Sequence, residues 1–155
     1  NEINDSKKLS ETKREYLFSM ISEFAECSIG IASVMEIEQL NILQASLLAM
    51  ERAVKNFSKH EIAFVLIDGK FIIPQLNSKQ EAIVKGDSLV HSIAASSIIA
   101  KVTRDRMMQD FDLQYPEYGF GKHKGYGTSL HIAAIKKFGL SPIHRPSFCG
   151  KILNS

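Results

Sequence analysis

Long apolar runs are missing from this chain. A run such as residues 62–67 falls far below the roughly 20 residues that a membrane-crossing helix needs, so no membrane partner is expected. Cysteine is scarce. Cys27 and Cys149 stand far apart and without metal-site spacing, which fits two free thiols in a reducing cytoplasm. The first ten residues are polar and charged, unlike a secretory signal. Repeats, linkers and low-complexity tracts are missing too. What is present, 155 residues with 45% hydrophobic and 23% charged side chains, suits one globular domain over residues 1–155 with a real core.

The net charge of +2 conceals an asymmetry. Residues 1–100 hold 10 basic and 13 acidic side chains, whereas residues 101–155 hold 9 basic and 4 acidic. A basic C-terminal third is compatible with a polyanionic partner, although composition decides nothing by itself.

Periodicity organises the rest. Ser10 is placed to cap a helix whose stripe is Leu17, Met20, Ile21 and Phe24. Ile29 and Ile31 flank Gly30 as a short strand. A second helix from Glu36 carries Leu40, Leu43, Leu47, Met50, Val54 and Phe57 on one stripe. Residues 62–67 read as a strand buried on both faces, ending at Asp68-Gly69. Residues 82–85 form a shorter strand candidate leading into Gly86-Asp87. A third helix spans about residues 93–113, and residues 116–127 form a loop. Thr128 caps a fourth helix that Gly139 ends. Residues 141–155 read as irregular. Strands alternating with helices indicate an α/β layered domain.

The chemistry lies in a few polar positions. Asp68, at the end of a buried strand, stands where α/β proteins gather their ligands. On local grounds alone an Asp-Gly turn residue is slightly favoured over a metal ligand. Asp87 follows a glycine that permits a tight turn, and two strand-end carboxylates can share a hard cation. The alternative is a helix-cap or solvated carboxylate. Lys101 and Asp105 are spaced to pair on one helix face, and small residues around Ser96 allow close backbone approach. The stretch 119–128 interleaves glycines, bases and Tyr126, a composition suited to phosphates and to a stacking ring. A surface loop pinned by its own aromatics would look alike. His123, His131 and His144 match no zinc spacing.

Together these segments resemble the ribonuclease HII family over nearly the whole chain. The matching motifs are Asp5-Ser6-Lys7-Lys8-Leu9-Ser10, Leu40-Asn41-Ile42, Ile67-Asp68-Gly69 and Lys85-Gly86-Asp87. They continue with the helix from Ile93 to Asp105, Tyr118-Gly119-Phe120, His123 to Thr128, and His144-Arg145-Pro146-Ser147-Phe148. The resemblance implies a ribonuclease H-like fold, a central mixed sheet of five strands flanked by helices, with the first strand or strands absent from this chain. It implies a nuclease, expected as a cytoplasmic monomer when complete. Such an enzyme cuts the RNA strand of RNA–DNA hybrids and ribonucleotides embedded in duplex DNA, leaving 5′-phosphate and 3′-hydroxyl ends.

Two Mg²⁺ or Mn²⁺ ions would be held by four carboxylates, two of which map onto Asp68 and Asp87. Tyr126 maps onto the tyrosine that packs on the deoxyribose 3′ of the ribonucleotide. Lys7, Lys8, Asn41, Ser96 and Lys101 fall in segments near the substrate backbone. The family's opening Asp-Glu-Ala-Gly-Arg-Gly strand has no counterpart here, so truncation is expected. The rival expectations are a fragment that binds hybrids without cutting them and a non-enzymatic scaffold whose carboxylates cap turns.

Overall fold

A computed structural model describes residue 6, residues 9–57 and residues 62–153. In chain order the elements are α1 (Glu11–Phe24), α2 (Val34–Leu40), α3 (Ile42–Lys55), β1 (Phe64–Asp68), β2 (Lys79–Ile83), α4 (Gly86–Leu89) and α5 (His91–Gln114). A 3-10 turn (Pro116–Tyr118), α6 (Phe120–His123), α7 (Ser129–Phe138) and α8 (Pro146–Leu153) follow. The chain divides into two compact units, one of Asn1–Ala32 and Leu43–Val102, the other of Ser33–Ile42 and Thr103–Ser155.

In the first unit, Ser10 caps α1 by accepting from the Lys13 backbone N–H at 3.2 Å, as its sequence position predicts. The α1 stripe then buries Leu17 against Ile98 and Val102 of α5, with Leu9, Phe18 and Ile21 around them. Burying a leucine of this kind stabilises by roughly 1.5–3 kcal/mol.

The strand predicted at residues 29–31 is not formed. The Ile29 carbonyl accepts from the Asn56 amide at 3.0 Å and the Ile31 carbonyl from Arg52 at 2.7 Å, so side chains take the place of a strand ladder. Gly30 lies so close to α3 that an added Cβ would stand 1.9 Å from the Ala49 carbonyl oxygen. Only glycine fits there.

The helix predicted from Glu36 is two helices. Asn41, with φ 70° and ψ 165°, separates α2 from α3 in a backbone region that is almost reserved for glycine. The strand at residues 62–67 forms as β1 and pairs in parallel with β2, Phe64 opposite Lys79 and Asp68 opposite Ile83. Its expected two-sided burial is not seen among the described residues. Ile67 is buried, but Phe64 and Leu66 on the opposite parity are 50% and 38% exposed, since successive side chains alternate faces. The second strand ends earlier than the 82–85 reading, because Lys85 already turns into the left-handed region at φ 59°. Between the strands, Gln80 holds the connection by accepting from the Ile73 N–H at 2.8 Å and donating to its carbonyl at 3.0 Å.

In the second unit, Met108, Tyr118, Phe120 and Ala134 form the core, flanked by Phe111, Tyr115 and Ile143. Thr128 caps α7 and Gly139, at φ 80°, ends it. The predicted loop at residues 116–127 instead contains the 3-10 turn and α6. The C-terminal stretch expected to be irregular contains α8. Pro146 is suited to a first helical position, and Glu38 accepts from the Ser147 N–H at 3.1 Å and its hydroxyl at 2.7 Å. That carboxylate satisfies donors that a helix start leaves unpaired.

A capping box at Ser33 and Glu36 starts α2: Ser33 Oγ accepts from the Glu36 N–H, and the Glu36 carboxylate accepts from the Ser33 N–H. Ser33→Ala is expected to cost about 1 kcal/mol, read as a lower midpoint in urea with an unchanged slope.

Candidate active site

The site begins with a strand end. Asp68 closes β1 and is exposed. Beyond the paired Ile83, Lys85 adopts φ 59° and ψ 36°, a left-handed conformation that costs a residue with a Cβ. The turn brings the Gly86 N–H onto Asp68 Oδ1 at 2.8 Å. Gly86 is buried, and a Cβ there would lie 2.6 Å from Ile93 Cδ1 and 3.5 Å from Asp68 Oδ1.

Asp87 follows at once in the first turn of α4, half-buried, with its Oδ1 3.4 Å from the Ser88 hydroxyl. Two carboxylates from different strand ends are therefore tied through one hydrogen bond and one peptide unit. An open groove lined chiefly by Leu43, Leu47, Met50, Ile67 and Phe71 runs up to Asp68.

Ser96 and Lys101 lie on α5 within the same unit as the carboxylates. Ser96 is exposed and donates to the Ser92 carbonyl at 2.9 Å, so its hydroxyl is engaged by its own helix. Lys101 is half-buried. Asn41 stands exposed at the strained break between α2 and α3, in the other unit. Lys7 and Lys8 lie outside the described residues.

Tyr126, also in the second unit, has a clamped backbone and a presented ring. Its N–H donates to the His123 carbonyl at 2.8 Å; its carbonyl accepts from Thr128 N–H at 2.8 Å and meets His131 Nδ1 at 2.9 Å. The residue is 62% exposed. Sequence reading missed Arg104 as part of this loop. Its guanidinium donates to the Lys124 carbonyl at 2.8 Å and lies 6.0 Å from the centre of the Tyr126 ring. Lys124 and Gly125 adopt φ 49° and 79° in succession, the tight reversal that sets Tyr126 outward. No local spacing announces a contact across 20 positions.

The three histidines, which match no zinc spacing, are packed side chains. His123, His131 and His144 are all buried, with His123 stacked on His131 at 4.1 Å. Burial first, and then the neighbouring imidazoles, push His131 and His144 below the ordinary histidine pKa. Their folded values lie under the unfolded one of about 6.5, so the unfolded chain takes up more protons in that window. The stabilisation from keeping them neutral is present above about pH 6.5 and is lost as pH falls from there through their folded values. Thermal unfolding between about pH 8 and pH 5 is expected to show Tm falling on the acid side. A flat profile would remove the neutral buried pair.

Comparison with known proteins identifies the family. The family model described as Ribonuclease HII matches residues 1–151. A ribonuclease HII of Fusobacterium nucleatum is 52% identical over 159 aligned positions, covering 100% of this chain and 74% of that protein. One from Clostridioides difficile is 52% identical, covering 97% of this chain but 59% of its own length. One from Albidiferax ferrireducens is 55% identical, with 94% and 70% covered. Among solved structures, the ribonuclease H2 of Pyrococcus horikoshii superposes with a TM-score of 0.73 at 25% identity, covering 98% of this chain and 80% of that one. The α/β architecture is thus that of the ribonuclease H-like fold, and the chain belongs to the ribonuclease HII family of hydrolytic nucleases.

Proposed function

We propose that this chain carries half of a two-metal centre, in a nuclease that cuts the RNA strand of RNA–DNA hybrids and ribonucleotides embedded in duplex DNA. The observation that carries the reading is the Gly86 N–H to Asp68 Oδ1 bond, which sets the Asp87 segment beside the Asp68 strand end. An exposed strand-end carboxylate and a neighbouring one supply hard oxygen donors, the chemistry that Mg²⁺ and Mn²⁺ select. Asp68 and Asp87 would hold these ions as part of a shell that takes six oxygens for Mg²⁺. Further oxygen donors would complete that shell. When bound, such ions activate water and stabilise the leaving 3′ oxygen.

The chain's own residues would do the positioning. Tyr126 would rest its exposed ring on the deoxyribose that follows the ribonucleotide. Asn41, Ser96, Lys101, Lys7 and Lys8 would contact the sugar-phosphate backbone, which fixes register without reading sequence. The strained Asn41 backbone supports this, since strain of that kind gathers at functional sites. A cytoplasmic location and a monomeric complete enzyme complete the proposal. Among the described residues no helix is long and apolar enough to cross a membrane.

The test is a duplex with one ribonucleotide, end-labelled on the ribonucleotide strand. A protein that adds the two further carboxylates is expected to cut on the 5′ side of that ribonucleotide, leaving 5′-phosphate and 3′-hydroxyl ends. The 155-residue chain alone is expected to bind the duplex yet cut it far more slowly. Cleavage by the chain alone at the same rate would remove the need for further carboxylates. Cutting of all-DNA duplex at an equal rate would remove the ribonucleotide specificity.

A further inference from the structure

One backbone N–H sets the direction of a chain of imidazoles. The Ser141 N–H donates to His144 Nδ1 at 2.9 Å, and the Ser141 hydroxyl lies 2.7 Å from the same nitrogen. A backbone N–H cannot accept, so Nδ1 of His144 bears no proton and the ring is neutral with its proton on Nε2. His144 Nε2 is 2.9 Å from His131 Nε2, and one proton, from His144, serves that contact. His131 therefore carries its own proton on Nδ1, which donates to the Tyr126 carbonyl at 2.9 Å. His123 is fixed by the same logic: the Gly125 N–H donates to its Nδ1 at 3.2 Å, leaving Nε2–H for the Tyr118 carbonyl at 2.8 Å.

We propose that His131 and His144 are positioning residues, a neutral two-imidazole relay running from Ser141 to the Tyr126 carbonyl that holds this backbone while the Tyr126 ring faces outward. A second proton disrupts this arrangement. On His144 Nδ1 it would find the Ser141 hydroxyl as acceptor but would face the Ser141 N–H and leave it unpaired, and on His131 Nε2 it would face the His144 N–H. Either breaks the relay, and burial of both rings makes the charge costly. The titratable and charged groups around the pair are His123 on α6, stacked on His131, and Glu117 and Tyr118 on the 3-10 turn packed against α7. Arg145, Cys149 and Lys151 lie at and on α8, which also packs against α7. Electrostatically the pair responds to its own members and to His123.

The consequence for substrate rests on the nuclease reading above, with Tyr126 as the contact beyond the ribonucleotide. Nitrogen-15 and carbonyl carbon-13 spectra of the doubly labelled chain at about pH 8 test the relay without substrate. His131 is expected to carry its proton on Nδ1 and His144 on Nε2, and on acidification the Tyr126 carbonyl shift moves together with both imidazoles. A proton on His131 Nε2, or a Tyr126 shift that ignores the imidazoles, overturns the relay.

Binding in the presence of a chelator then compares a duplex holding one ribonucleotide with its all-DNA counterpart. His131→Leu is expected to lose roughly fivefold of that preference, about one hydrogen bond. His131→Asn, which keeps an N–H in reach of the Tyr126 carbonyl, keeps most of it and no longer varies with pH. Equal losses in both variants would reduce His131 to packing. Should the Leu variant fail to fold, the Asn variant decides through its parent-like Tyr126 carbonyl shift or the lack of it. If Tyr126→Ala leaves the preference unchanged while the spectra behave as stated, the substrate reading falls and the relay stands.

Discussion

In a protein carrying all the carboxylates, Asp68→Asn is expected to slow cleavage by about three orders of magnitude, the several kcal/mol that a metal ion contributes to a transition state. Binding of the duplex should change little. The substitution is informative because the structural job of Asp68 survives it: an amide oxygen can still accept the Gly86 N–H now bonded at 2.8 Å. Only the negative charge is removed. Melting temperature measured beside turnover separates the two roles. Normal turnover at saturating Mg²⁺ would make Asp68 a turn residue. Asp87→Asn should act in the same direction, since it removes the second charge beside the same strand end.

Tyr126→Ala carries the second large effect, and it divides recognition from chemistry. A ring stacked on a base is worth on the order of 1–3 kcal/mol by alanine substitution, and the loss expected for the Tyr126 ring on a sugar is taken from that range. Tyr126 is 62% exposed, which lets it reach such a contact. A 2′-hydroxyl on that sugar would crowd the ring, so the expected preference is for a ribonucleotide followed by a deoxyribonucleotide. The loss should be larger for a single embedded ribonucleotide than for a long hybrid, which offers many other contacts. Tyr126→Phe should be milder, because the packing face survives. Both substrates must be measured at one salt concentration, since phosphate contacts make affinity salt-dependent. Equal losses on both would mean that Tyr126 shapes its loop and reads nothing.

The legible part of this protein is the part written in local chemistry. The α1 cap at Ser10, the β1 stop at Asp68-Gly69, the long α5 and the cap and stop of α7 all follow from neighbours within a turn or a strand. The misreadings share one cause, which is tertiary partners. Ile29 and Ile31 alternate as a strand would, yet Arg52 and Asn56 occupy their carbonyls from α3. The α2–α3 stripe runs on through Asn41 as if unbroken, because apolar spacing does not register a backbone reversal. The tail at residues 141–155 lacks a helical signature by composition, while its helix start is completed by Glu38 from 109 positions away.

For the site, Asp68 was legible as a strand-end acid and Asp87 as an acid after a Gly turn, but not the hydrogen bond from Gly86 to Asp68 that sets the two segments side by side. The relay proposed for the histidines was not legible. It depends on which ring nitrogen faces which partner, and sequence does not carry that.

The central claim is that Asp68 and Asp87 share a divalent ion. Titrating Mn²⁺ into the nitrogen-15-labelled chain tests it most directly, because a paramagnetic ion broadens only nearby resonances. Selective loss of the Asp68, Gly69, Gly86 and Asp87 signals is expected, with the effect abolished in Asp68→Asn and weakened in Asp87→Asn. Broadening centred elsewhere, or unchanged when Asp68 loses its charge, would contradict the account.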